Sequence, residues 1–213
     1  VAYSTNGTTW AGVRGYQTSN WFCFSIAYIS SYSTTGQFLI VGAREVSGSQ
    51  TGSVWRTTAA TPALSLLTTP TSPSSFYYIY YNSALPTNKY ILTCSQSTYN
   101  FVSSDSTTWT AQTNAPVLVN SLVYNTGNSK IYMVGQNSGY APIKGPLVSI
   151  NAGFIASADN AFSTFTPIKT GTIFSYVAYN SSASKFVASS NNGFVATSTD
   201  GSTWTLAYPY AST

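Results

Sequence analysis

Val195-Ala196-Thr197-Ser198-Thr199-Asp200-Gly201-Ser202-Thr203-Trp204-Thr205 is the stretch whose reading decides the fold. A short apolar strand runs into a Ser/Thr/Asp/Gly turn, and an aromatic residue then opens a second strand. The same element recurs at Phe101-Val102-Ser103-Ser104-Asp105-Ser106-Thr107-Thr108-Trp109-Thr110, and again at the start of the chain, where Val1 to Trp10 holds Ser4, Asn6 in the Asp place, and Trp10. Phe154 to Asp159, leading to Phe165, is a stretched copy, and Val54 to Thr58, leading to Leu64, is a decayed one.

A second repeated segment precedes four of these elements. It is an apolar stretch ending in Tyr, usually followed by Asn, then a polar turn, then Lys or Gln opening another apolar stretch. Its tyrosines are Tyr28, Tyr81, Tyr124 and Tyr179, spaced 53, 43 and 55 residues apart, and the second stretches open at Gln37, Lys89, Lys130 and Lys185. The stretches are rich in Val, Ile, Tyr, Phe and Thr, and Gly, Asn, Ser and Pro bound them. That pattern predicts strands of about four to seven residues. No window has the 3.6-residue period of an amphipathic helix, so an all-β chain is expected. Two hairpins per repeat make four antiparallel strands in about 40 to 55 residues, the size of one propeller blade.

The Asp-containing hairpin resembles the Asp-box of sialidase-like propellers (BNR repeats), whose pattern is Ser-x-Asp-x-Gly-x-Thr-Trp. Ser198, Asp200, Gly201, Thr203 and Trp204 match, with one residue fewer between Asp and Trp. The resemblance implies that the box is the hairpin between the third and fourth strands of a blade and a structural signature with no catalytic role. Its chemistry fits that use. The Asp side chain can accept N–H groups of its own turn, Gly supplies a positive φ, and the aromatic packs back under the hairpin. Ser4, Asn6, Trp10, Asp105, Trp109, Asp159, Phe165, Asp200, Gly201 and Trp204 are the residues assigned to this role.

The expected architecture is a single β-propeller domain over residues 1–213 with four complete blades, at about 22–68, 76–115, 119–170 and 173–208. A half blade at 1–13 supplies only two outer strands. Such a count fits a five-bladed ring with an incomplete blade, or part of a larger propeller; a four-bladed ring with an extra hairpin is the third arrangement. Val1 is not an initiator Met and no signal peptide is evident, so a processed product or a stretch of something longer is expected.

Composition narrows the chemistry. Only 6% of the residues are charged, whereas 34 Ser and 30 Thr make up 30% of the chain, against roughly 25% charged residues in an average domain. There is no His and only two Cys, so the commonest zinc and haem ligands are scarce, and neither a metal nor a cofactor is expected. The net charge of +4 comes from scattered residues, with no two Lys/Arg adjacent, which is a poor footprint for nucleic acid. Apolar runs such as Phe38-Leu39-Ile40-Val41 are far too short for a membrane span.

Few groups remain for catalysis. Of the four acids, Asp105, Asp159 and Asp200 lie in the repeated turns and only Glu45 is left. Glycoside hydrolysis generally needs two facing carboxyls. A sialidase-like reading would need Arg14, Arg44, Arg56 and Glu45 to converge, and no free Asp is left to serve as its acid. No enzymatic activity is expected. Cys23 and Cys94 lie in the inner strand of one blade and the second strand of the next, where either an inter-blade disulfide or a pair of buried thiols would fit. Lys89, Lys130 and Lys185 would form either a ring of cations or solvated strand ends. Asn6-Gly7-Thr8 and Asn180-Ser181-Ser182 fit the glycosylation sequon, a match that chance supplies in so Ser/Thr-rich a chain. Exposed Tyr gives good contact surface, so Tyr77, Tyr80 and Tyr140, with Arg44 and Glu45, are the candidate binding residues. The expected role is structural and binding, extracellular or on a virion or appendage surface, toward a host glycan or a neighbouring structural protein. A secreted propeller lectin is the alternative.

Overall fold

The computed structural model describes residues 2–3, 8–9, 11–12, 21–30, 36–58, 64–67, 75–95, 99–112, 118–136 and 153–207. These residues form eighteen strands and no helix. The chain opens with a two-stranded sheet, β1 (Ala2–Tyr3) and β2 (Ala11–Gly12). Blade one follows as β3 (Trp21–Ile29), β4 (Gln37–Val46), β5 (Ser49–Thr58) and β6 (Ser65–Leu66). Blade two is β7 (Ser75–Tyr81), β8 (Tyr90–Ser95), β9 (Asn100–Ser103) and β10 (Thr110–Gln112). Blade three is β11 (Val119–Asn125), β12 (Lys130–Gln136), β13 (Gly153–Asp159) and β14 (Phe165–Gly171). Blade four is β15 (Phe174–Asn180), β16 (Lys185–Ser190), β17 (Val195–Ser198) and β18 (Thr205–Ala207). Each blade is an antiparallel sheet paired in chain order.

Several strands depart from the expected four to seven residues. β3, β4 and β5 have 9, 10 and 10 residues. β4 and β5 stay paired up to Val46 and Ser49, because Ser47 (φ 51°) and Gly48 (φ 79°) both take the left-handed conformation that a two-residue hairpin turn matching strand twist requires.

Successive blades pack face to face, with β3 on β7, β7 on β11 and β11 on β15. Because strand side chains alternate, one strand serves two interfaces. In β12, Ile131 and Met133 join the core shared with blade two, and Tyr132 and Val134 join the core shared with blade four. Leu39, Val41 and Val54 of blade one meet Phe76 and Ile79 of blade two in the same way. Two-sided burial explains why these strands read as unbroken apolar runs.

The two repeated turns are built from local hydrogen bonds. After the repeat tyrosines, Asn82 Oδ1 accepts the Ala84 N–H (2.9 Å), Asn125 Oδ1 the Gly127 N–H (2.8 Å) and Asn180 Oδ1 the Ser182 N–H (3.0 Å). In the Asp-containing hairpins, Asp105 Oδ1 accepts the N–H groups of Thr108 (2.7 Å) and Thr107 (2.8 Å), and Ser103 Oγ accepts that of Ser106 (2.9 Å). Asp200 repeats the pattern with Thr203, Ser202 and the Ser198–Gly201 bond. Asp159 serves a longer turn by accepting from Ser163 and Thr164. Trp204 donates its indole N–H to Gly201 O at 2.9 Å. Ser4, Asn6 and Trp10 lie outside the described residues.

Each turn is also tied to the preceding blade. Arg56 Nη2 donates to Ser106 Oγ (3.2 Å), Asn88 Nδ2 to Ala161 O (3.1 Å) and the Tyr132 hydroxyl to Asp200 O (3.5 Å). Gly201 sits at φ 76°, and a Cβ there would come 2.3 Å from the Tyr132 ring. Replacing Gly201 by Ala therefore combines left-handed strain with an inter-blade clash, and should lower stability by about 2 kcal/mol; an unfolding free energy from urea denaturation lowered by less than about 0.5 kcal/mol would refute the packing.

Hydrogen bonds from Thr108 and Thr107 hold the Asp105 carboxyl well below the usual range, as those from Thr203 and Ser202 do for Asp200. A depressed carboxylate adds stability above its unfolded value near 4 and loses it as pH falls toward the lower folded value. The melting temperature should be insensitive to these groups between pH 7 and about 5 and decline below about pH 4. The double variant Asp105→Asn/Asp200→Asn should show a shallower acid decline in calorimetry.

Gln37 stands where later blades carry the exposed Lys89, Lys130 and Lys185. It is fully buried, and neither amide atom has a hydrogen-bond partner, a loss of about 1–3 kcal/mol for such a group. Gln37→Met, close in volume, should raise the melting temperature by about 2–4 °C; a fall would mean that the amide is satisfied after all.

Candidate functional site

The four inner strands share one irregularity. Pairing with the second strand slips at Cys23/Ser25 in β3, Phe76/Tyr78 in β7, Val119/Ser121 in β11 and Phe174/Tyr176 in β15. Each slip leaves one residue out of the ladder: Phe24, Tyr77, Asn120 and Ser175. Each precedes its repeat tyrosine by four residues, so the bulge is part of the repeat. A bulge adds local twist and re-aims a side chain.

All four re-aimed residues line a single cavity of about 480 Å³, together with Ser25, Ile26, Tyr78, Tyr176 and Asn191. The cavity is thus shared by every inner strand of the complete blades. Its two halves differ. Blades one and two contribute Phe24 and Tyr77, stacked with ring centroids 5.8 Å apart, and Ile26. Blades three and four contribute Asn120, Ser175 and Asn191, with Tyr176 exposed beside them. Ser175 Oγ donates to Asn191 Oδ1. No lining residue carries a formal charge. Burial pushes the Tyr78 phenol up to about 12, against a hydrogen bond with Ser121 that lowers it, so that hydroxyl stays protonated at neutral pH.

The residues beside the bulges fasten blade to blade. Ser25 Oγ accepts the Ile79 N–H (3.4 Å), Ser121 Oγ accepts the Val177 N–H (3.3 Å), and Asn120 Nδ2 donates to Phe174 O (2.9 Å). Inner strands have no strand partner on the axis side, so side chains of the preceding blade satisfy their backbone.

Of the candidate binding residues, Tyr77 lies in the cavity. Tyr80 does not line it; its hydroxyl accepts the Tyr124 N–H (3.0 Å) and an Asn82 Nδ2 hydrogen (3.0 Å), joining blades two and three. Arg44 is in register with Trp21, three residues before Phe24, so Arg44 and Glu45 sit at the cavity end of blade one without lining it. Tyr140 and Arg14 lie outside the described residues. Arg56 pairs with Leu39, five positions along β4 from Arg44, which is about 16 Å at strand rise. The described arginines and Glu45 therefore do not converge. Lys89, Lys130 and Lys185 are exposed at the opposite end of their blades, beside the Asn turns. Cys23 and Cys94 are both free. The disulfide alternative is set aside, and the buried-thiol alternative holds for Cys94 alone, because Cys23 is exposed on its strand. Among the described residues no cluster of three metal-ligating side chains occurs, and no helix is long and apolar enough to cross a membrane. The bulged residues other than Tyr77 were not expected from their chemistry; the offset of four from each repeat tyrosine is the signal that locates them.

No protein family and no curated protein matches the sequence. Solved structures do. The chain is similar to one in a nidogen/laminin complex, with TM-score 0.61 and 10% identity over 88% of this chain and 66% of that one. It is similar to a functionally unknown protein from Desulfotomaculum acetoxidans DSM 771, with TM-score 0.54 and 8% identity over 93% of this chain and 58% of that one. An oligogalacturonate lyase in complex with manganese gives TM-score 0.52 and 13% identity over 87% of this chain and 53% of that one. The chain thus spans between about half and two thirds of these neighbours. At such identities the likeness concerns the fold alone, and together with the four antiparallel four-stranded sheets it shows a β-propeller.

Proposed function

We propose that this propeller is a non-enzymatic recognition module, on the outside of a cell, virion or appendage, and that its cavity takes a neutral carbohydrate. The observation that carries the reading is the uncharged cavity built at the four bulges, lined by a stacked Phe24–Tyr77 pair and by the amides of Asn120 and Asn191. A pyranose has one apolar face of C–H groups and a rim of hydroxyls. Aromatic rings suit the first, and amide and hydroxyl groups with fixed directions suit the second. An acidic sugar would meet no countercharge there. The four bulged residues differ in chemistry, which favours one composite site over the repeated pockets that a blade-by-blade lectin would use.

The absence of catalysis in this proposal rests on the same groups. Amides, hydroxyls and a phenol with a raised pKa are poor proton donors and acceptors at neutral pH, and Glu45 lies outside the lining. The geometry of the Ser103/Asp105 and Ser198/Asp200 turns supports reading them as Asp-boxes with a structural role.

A glycan array followed by titration calorimetry tests the site. Binding to a neutral glycan should change less than two-fold between 50 and 500 mM NaCl, since no ion pair screens away. Tyr77→Ala and Asn120→Ala should each weaken it at least ten-fold, equivalent to about 1.4 kcal/mol. Tyr80→Phe should leave affinity unchanged and cost only stability. Unaltered affinity in both cavity variants would refute the site, and an array positive only for acidic glycans would refute the ligand class.

A further inference from the structure

The repeat makes burial comparable from blade to blade, and two faces stand out. Two positions after Gln37, Lys89 and Lys130, the residues Leu39, Ile91 and Tyr132 are 0%, 0% and 3% exposed, each covered by the following blade, whereas Val187, two positions after Lys185 in blade four, is 41% exposed. Two residues beyond the bulge, Ile79, Leu122 and Val177 are 2%, 2% and 4% exposed, each covered by the preceding blade, whereas Ile26 of blade one is 54% exposed. Tyr28 on the same face is 52% exposed, against 8% for its equivalent Tyr124. Among the described residues no blade follows blade four and no four-stranded blade precedes blade one. Ile26 on the first face and Tyr176, on the same side of its sheet as Val187, line the same cavity, so the two open faces bound one seam.

The opening hairpin says what the seam takes. β1 and β2 pair Tyr3 with Ala11, eight positions apart. The outer pairs of blades two and four have the same register, with Val102 opposite Thr110 and Thr197 opposite Thr205. β1 and β2 therefore correspond to the third and fourth strands of a blade, and among the described residues their sheet has no further strand. A four-stranded blade needs two more.

We propose that the seam is a docking site for a two-stranded antiparallel hairpin, which forms the inner pair of a fifth blade with β1–β2 as its outer pair. The occupant must be apolar on both faces, to cover Ile26 and Tyr28 on one side and Val187 on the other, as the inner hairpins of blades two and three are. A whole second copy fits this deficit less well, because it would bring complete blades where two strands are wanted.

Cys23 reports on the seam. It pairs with Gly42 on the same side of β3 as Ile26 and is exposed, while Cys94 is fully buried. The test appends a copy of the blade-four inner hairpin, residues 173–191, ahead of residue 1 through a short Gly/Ser linker. Alkylation of Cys23 by N-ethylmaleimide should slow at least ten-fold and the melting temperature should rise, and a scrambled appendage should do neither. Ile26→Asp should abolish both gains in the extended chain, yet leave the parent's melting temperature within about 1 °C, as for an exposed site. Cys23 alkylated at the parent rate in the extended chain would overturn the proposal. So would a parent chain whose Cys23 is already protected in a concentration-dependent dimer, which would assign the seam to a second copy.

Discussion

A blade of this protein has to bury both of its faces, and most other features follow from that requirement. A sheet that is solvated on one side can alternate apolar and polar residues, but a blade between two others cannot. β12 is the clearest case, since Ile131 and Met133 look back while Tyr132 and Val134 look forward, all nearly or fully buried. Each such side chain contributes about 1.5–3 kcal/mol, more than a neutral hydrogen bond at about 1 kcal/mol. Apolar packing between blades therefore holds the assembly together, and polar contacts decide where packing cannot help.

They are needed at the axis. The inner strand of each blade is an edge, and its free backbone groups face neighbouring blades in place of a strand. Leaving a buried N–H unpaired costs about 1–3 kcal/mol, so Ser25 and Ser121 reach across to Ile79 and Val177. The bulges beside them arise from the same conflict, because a strand that pairs on one side and must meet a neighbouring blade at an angle on the other gains twist by releasing one residue. The cavity is the sum of four such releases.

Much of this was legible in the sequence, for a definite reason. The Asn turns and the Asp105 and Asp200 turns are closed by bonds spanning two or three residues, so their chemistry is written locally and repeats visibly. The site was less legible because a bulge is defined by pairing, and Phe24, Tyr77, Asn120 and Ser175 share no side-chain property. The tyrosine run shows the difficulty. With simple alternation Tyr77, Ile79 and Tyr81 would share a face; after the bulge Tyr78 and Tyr80 pack toward blade three, Ile79 and Tyr81 toward blade one, and Tyr77 is set free. Tyr77 and Tyr80 therefore read alike in the sequence although the two have different tasks. Gln37 is another case, since the repeat equates it with exposed lysines although it is fully buried.

The division of labour along each blade bears on how such a molecule can change. Scaffold chemistry collects at one end, where the Asn turns, the Asp turns and the three repeat lysines lie. The bulged residues at the other end give no rung to the ladder, and among them only Asn120 bonds to a neighbouring blade. Phe24, Tyr77 and Ser175 can then be replaced without removing a ladder bond or a buried core contact. A scaffold with 6% charged residues and its aspartates committed to turns has little electrostatic means of choosing partners. Selectivity is left to shape, stacking and directed hydrogen bonds, which are what the bulged positions around one cavity can supply.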